Sequence, residues 1–159
     1  MKKPLSDSLE KWMSELPAGS CITTDSSNIK FEESKSKITF TNESRKSCLK
    51  LQVDGGIVPS SEQSLRCDNL LVEKDTPLFC FIELKGCNIK HAFEQLESSL
   101  KDNRLNPKCS QRKKAFVVGR NHAPASKKKA KLELISNGLK ANIGIIQGPR
   151  TLIYLQKET

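Results

Sequence analysis

Aromatic side chains are scarce in this chain of 159 residues. They make up 5%, with one Trp and one Tyr. A platform that reads single-stranded bases by stacking needs more of them. No apolar run approaches the roughly 20 residues that span a bilayer, so no membrane association is expected. The start, Met1-Lys2-Lys3-Pro4, carries charge with no apolar stretch behind it, unlike a secretory leader. The six cysteines (21, 48, 67, 80, 87 and 109) include no Cys-x-x-Cys pair. Structural zinc sites usually place ligands two to four residues apart, so such a site is not expected. The reading is reduced, mostly buried thiols in a cytoplasmic protein. No internal repeat is present, and the length suits one domain.

Acidic residues are also in the minority. Eighteen Asp and Glu face twenty-seven Lys and Arg, a formal net charge of +9. A small basic domain suggests a polyanionic partner, most often nucleic acid, and with so few aromatics the contact is to backbone phosphate. Solubility is the plainer explanation of the same charge. Hydrophobic residues are 36% and charged residues 28%, enough for one sheet with helices and much polar surface.

Leu5, Leu9, Trp12, Met13 and Leu16 recur at helical spacing over residues 4–16. Ser6 or Asp7 could cap this helix, and Pro17 with Gly19 end it. Residues 18–36 are polar and read as a loop, with room for a short helix around Phe31. Ile38 and Phe40 mark a strand, and Cys48 to Val53 another that ends at Asp54-Gly55-Gly56. Two stronger strands follow, Cys67 to Glu73 and Leu78 to Lys85, joined by a tight turn at Lys74-Asp75-Thr76-Pro77. Asn88 caps a helix to about Arg104, whose apolar stripe is Ile89, Phe93, Leu96 and Leu100. Then come a buried strand at 114–119, a basic helix at 124–137, and one or two strands in the tail. This order defines an α/β domain with a central mixed sheet flanked by helices. Its parts are an N-terminal helix and polar loop (1–36), a core (37–120), and a basic helix with C-terminal strands (121–159).

The two central strands carry the chemistry. On Leu78–Lys85, Glu83 and Lys85 share a face with Phe79 and Phe81. A hairpin turn centred on Asp75 and Thr76 sets Asp68 opposite Glu83, with Cβ atoms about 4.5–5.5 Å apart. Carboxylates that close repel unless a cation lies between them, and Mg²⁺ (or Mn²⁺) suits hard oxygen donors. Lys85 is placed to orient a water or to stabilise charge. Together these parts make a phosphodiester hydrolase. The plain alternative for Glu83 and Lys85 is a surface ion pair, worth about 0–1 kcal/mol. A second Glu-x-Lys, Glu33-Ser34-Lys35, lies in a polar segment without a strand pattern and is set aside.

An Asp opening one strand, Glu-x-Lys on the next and a helix behind it resembles the PD-(D/E)XK superfamily of restriction-endonuclease-like nucleases, over roughly residues 54–100. Cys67 stands where Pro often precedes the Asp. The resemblance implies an αβββαβ core and Mg²⁺-dependent cleavage of DNA, less often RNA. It also implies Asp68, Glu83 and the Leu84 carbonyl as metal ligands and Lys85 as the catalytic lysine. Some exonuclease branches carry a Gln on the following helix, and Gln95 matches by its distance from Lys85. Gln95 and His91 lie off the apolar stripe, however, so both read as surface residues.

Glu62 is a candidate third carboxylate, with a solvated loop Glu as the plainer reading. Asp54 is a turn residue or a ligand. Lys113, Lys114, Arg120 and Lys127, Lys128 and Lys129 form a phosphate track if the chain is a nuclease, with Lys50 and Arg66 as weaker members. One site cuts one strand, so a double-strand cut requires a homodimer. A non-catalytic nucleic-acid-binding module on the same fold is the alternative function.

Overall fold

The computed structural model describes residues 5–33, 36–75, 77–84, 89–110, 112–119, 141–147 and 150–154. The chain is an α/β protein. Helix α1 (Leu5–Ser14) leads into β1 (Cys21–Thr24), β2 (Asn28–Glu33), β3 (Ser36–Thr41) and β4 (Cys48–Gln52). After a long loop come β5 (Asn69–Glu73), β6 (Leu78–Leu84) and α2 (Ile89–Lys101). A 3-10 turn (Asn103–Leu105), β7 (Arg112–Gly119), β8 (Ala141–Gln147) and β9 (Arg150–Tyr154) follow.

A six-stranded mixed sheet runs β1-β4-β5-β6-β7-β8. β4, β5 and β6 form an antiparallel meander, and β6, β7 and β8 are parallel. Parallel neighbours need a crossover, and α2 supplies the one from β6 to β7. A smaller sheet, β2-β3-β9, covers one face of the large sheet. α1 and α2 cover the other.

Residues 18–36 are not the loop expected from their polarity. They hold β1 and β2, with no helix at Phe31. β2 buries only Ile29 and Phe31, on alternate positions, and leaves Asn28, Lys30 and Glu32 exposed. Two apolar residues give a weak sequence signal, yet they suffice when β3 supplies Ile38 and Phe40 across the pair. The expected 124–137 helix lies outside the described residues.

β6 is buried at all seven positions. Phe79 and Phe81 face the helices with Leu70, Val72, Phe93 and Leu96. Leu78, Cys80, Ile82 and Leu84 face the small sheet with Phe40 and Phe116. A strand covered on both sides reads as a near-continuous apolar run, as this one does. Trp12 of α1 packs on Phe79, ring centroids 5.4 Å apart, and its Nε1–H donates to the Arg104 carbonyl at 2.8 Å. No helix among the described residues is long and apolar enough to cross a membrane. Cys21, Cys48, Cys67, Cys80 and Cys109 are free thiols.

Candidate active site

The hairpin register is the expected one. Glu73 faces Leu78, and the pairing runs without a slip to Asn69 against Ile82. One step further the ladder departs from it: the Asp68 N–H donates to the Ile82 carbonyl at 3.2 Å, so Asp68 and Asn69 both stand against Ile82 in a bulge. At that step the ladder changes character. The Asp68 carbonyl turns the other way, accepting from the Val53 and Asp54 N–H groups at 3.0 and 3.3 Å. Beyond the bulge, side chains take the place of main-chain partners. The Leu84 N–H donates to Asp68 Oδ2 at 2.8 Å, and the Cys67 N–H donates to Ser99 Oγ at 2.7 Å.

The bond to Leu84 fixes where Asp68 aims. Covalent geometry puts its Oδ2 within roughly 5 Å of the Glu83 Cα. Glu83 itself is 0% exposed. It shares strand parity with Phe79 and Phe81, so its side chain leaves towards the helix-covered face. The thiol of Cys67 is close to both acids. Burial pushes its pKa up to about 12, and the charges of Glu83 and Asp68 add to the rise. Such a thiol stays protonated at neutral pH and is a poor nucleophile or metal ligand.

α2 holds the chain just ahead of Asp68. Gln95 Nε2 donates to the Arg66 carbonyl at 3.1 Å. Ser99, one helical turn on, accepts from the Cys67 N–H. Carbonyl and N–H belong to one peptide unit, so the helix grips the Arg66–Cys67 peptide at both ends. Gln95 is therefore not the solvent-facing residue expected from its place on the helical wheel. The stripe of Phe93, Leu96 and Leu100 covers the sheet interior, while the flank with Gln95 and Ser99 covers the start of β5. Ser99 carried no sequence signal beyond lying four residues from Gln95. His91 makes a 3.7 Å contact with Glu94 on the same helix.

Glu62 does not join the pair. Its two oxygens accept from Arg104 at 2.8 Å each, and Ser64 donates to one of them. The hydrogen bonds from Arg104, then Ser64, draw its pKa down to about 2. Arg104 also binds Asp102 at 2.7 Å. Asp54 takes the turn role: Arg66 holds its Oδ1 at 3.0 Å. Gly55 has φ +80°, and a Cβ on Gly56 would lie 2.2 Å from the Gln52 carbonyl. Arg66, considered for phosphate contact, is spent on Asp54 and on the carbonyls of Pro59, Glu62 and Ser64. Among the described residues no third His, Cys, Asp or Glu joins Asp68 and Glu83 in a metal-binding group.

The basic residues separate by position. Lys113 pairs with Phe79 and Lys114 with Cys80, at the start of β6, whereas Glu83 lies at its end. At about 3.3 Å per residue these lysines stand roughly 10–13 Å from Glu83 along the sheet. They do not border the carboxylate pair. Lys85, Arg120, Lys127, Lys128 and Lys129 lie outside the described residues, as do Ser34 and Lys35 of the second Glu-x-Lys. Compared with known proteins, the chain matches no family model, no curated protein and no solved structure.

Proposed function

We propose that this chain is a metal-dependent nuclease that hydrolyses phosphodiester bonds, acting on DNA rather than RNA. The observation that carries this reading is Asp68 Oδ2 anchored on the Leu84 N–H, beside the buried carboxylate of Glu83. A buried carboxylate calls for a cation, a proton or several hydrogen bonds, and the half-buried Asp68 carboxylate close by adds to the negative charge there. The donor set fits a hard divalent cation such as Mg²⁺ or Mn²⁺: two carboxylates and a main-chain carbonyl. N–H and C=O of one strand residue leave on the same side, so the Leu84 carbonyl is directed towards the end of β5. Gln95 Oε1, buried with no hydrogen-bond partner among the described residues, adds an unused acceptor nearby.

Asp68, Glu83 and the Leu84 carbonyl would hold the metal. When bound, it supplies Lewis-acid activation of water and screening of the phosphate. The chain's own residues do the rest. Asp68 is kept in place by Leu84 and by the α2 grip on the preceding peptide. Lys85, next after Leu84, orients the attacking water and offsets the negative charge that develops on the phosphate oxygens. With β1, β2 and β3 set between α1 and β4, the β4–β5–β6 meander, α2 and a parallel β7 resemble the βββαβ part of the restriction-endonuclease-like core. That agreement supports the same reading. Cleavage of both strands calls for a homodimer.

The test is plasmid relaxation. Wild-type protein with Mg²⁺ is expected to nick supercoiled DNA, and EDTA, Asp68→Asn, Glu83→Gln or Lys85→Ala to abolish it. Nicking that persists in EDTA, or in the variants, overturns the proposal. Tight binding without cleavage on linear, branched and single-stranded DNA and on RNA leaves a nucleic-acid-binding module in its place.

A further inference from the structure

On the face of the large sheet turned away from α2, a cavity of about 220 Å³ opens between β1 and β4 on one side and β2 on the other. Lys30, Glu32, Lys50, Gln52 and Asn69 stand on its walls. Lys50 Nζ donates to the Lys30 carbonyl at 2.7 Å and lies 4.9 Å over the Phe31 ring. An ammonium has three donors, and this bond uses one. Lys50 is thus held in place with donors to spare. Its partial burial lowers its pKa, the effect that a bound anion would reverse. Lys30 points outward on β2, between the inward Ile29 and Phe31.

The lining decides the ligand. Phe31 is only 4% exposed, so no base can stack on it. Inside, the Lys50 ammonium and the Asn69 and Gln52 amides, the latter also donating to the Asp54 carbonyl, suit an anion with several acceptor oxygens, while outward Lys30 and Glu32 stand at the rim. Asn69 gives the place: it directly follows Asp68 and pairs with Gln52 on one side and Ile82 on the other. The cavity therefore reaches the same end of β5 as the proposed active site, from the opposite face of the sheet.

We propose that this cavity is a phosphodiester-binding subsite, in which Lys30 and Lys50 hold a backbone phosphate of DNA next to the linkage at Asp68 and Glu83. Its place beside a scissile linkage rests on the nuclease reading; the phosphate binding does not.

The experiment is fluorescence anisotropy with a fluorescein-labelled DNA single strand and its duplex, in EDTA so that cleavage is off, across a salt series. Lys30→Gln and Lys50→Gln are each expected to weaken binding to both DNAs and to lower the salt slope by about 1, and the double variant by about 2. Glu32→Gln is expected to tighten binding. Lys11→Gln, an equal charge change on exposed α1, serves as control and should move affinity far less. Lys30 is exposed, so Lys30→Gln keeps the test alive if Lys50→Gln fails to fold. A double variant with wild-type affinity and slope overturns the proposal, as does a Lys11→Gln effect equal to that of Lys30→Gln. Inorganic phosphate at matched ionic strength should compete poorly. If it displaces DNA from the wild type but not from the double variant, free phosphate is the ligand and the backbone assignment falls. Weakened binding in the lysine variants, with no Mg²⁺-dependent cleavage by the wild type, sinks the nuclease reading and leaves the phosphate subsite standing.

Discussion

Gln95 and Ser99, one turn apart on α2, hold the two polar ends of a single peptide group, that between Arg66 and Cys67. The next residue is Asp68. Its carboxylate is thereby set by a helix, with the loop in front free to vary, and a site built on rigid elements keeps its geometry better than one on loops.

Ser99→Ala tests that grip. It leaves the buried Cys67 N–H without its acceptor, at about 1–3 kcal/mol. For a chain of this length that is roughly 2–4 °C of melting temperature per kcal/mol. Cleavage should fall further than stability does, because the start of β5 is released. Ser99→Thr, which keeps the hydroxyl, should recover much of the activity. Calorimetry beside a nicking assay separates the two effects.

Metal binding should register as heat stability. A ligand that binds only the folded state adds about 2.7 kcal/mol at a hundredfold excess over its Kd. Mg²⁺ titrated into the wild type is expected to raise the melting temperature, and the rise should vanish in Glu83→Gln and shrink in Asp68→Asn. An equal rise in all three proteins would place the ion elsewhere.

The Glu62–Arg104 pair should give an acid-sensitive contribution to stability. The folded-state pKa of Glu62, about 2, lies below its ordinary value of 4.5. The contribution is therefore complete above about pH 4.5 and is lost as pH falls towards about 2. Glu62→Gln should melt below the wild type at neutral pH, and the gap should close across that window. A gap of constant size from pH 7 to pH 2 would show that the pair contributes nothing through charge. Catalytic activity at neutral pH should survive the substitution, because Glu62 serves Arg104.

Gly56→Ala should destabilise the turn after β4. The added methyl would meet the Gln52 carbonyl, main chain against main chain, so relief requires the turn to move. An overpacked site of this kind costs about 1–3 kcal/mol. Gly19 has open space around the same position but φ +81°, so Gly19→Ala is strained by its backbone alone. Urea midpoints for both variants would check the two mechanisms.

Much of this arrangement was legible in the residues. The run Leu78 to Leu84 announced a buried strand, and the turn ahead of it set the β5–β6 register as far as Asn69 against Ile82, where a bulge at Asp68 that no residue pattern announced interrupts it. The spacing of Phe93, Leu96 and Leu100 announced α2. What stayed hidden is instructive. β1 and β2 are short and polar: β1 buries no residue and is placed by its pairing with β4, and β2 is buried by Phe40 and the underside of β5 and β6, partners distant in sequence. Gln95 looked misplaced because a helical wheel shows direction without showing which strand ends lie beneath each flank. Glu62 looked available because nothing in its neighbourhood announced Arg104, which reaches it from the 3-10 turn after α2. Lys113 and Lys114 looked like part of one basic track until the parallel pairing of β7 with β6 put them at the far end of the strand.

Arg104 joins three stretches of chain distant in sequence. Its carbonyl takes the indole N–H of Trp12, and its guanidinium takes Glu62. It works as a rivet through the N-terminal helix and the segment leading to Asp68. Clipping off that helix would free one end of the rivet and strip Leu9 and Trp12 from the core, so that a cut at the chain's start is felt in the packing beneath α2.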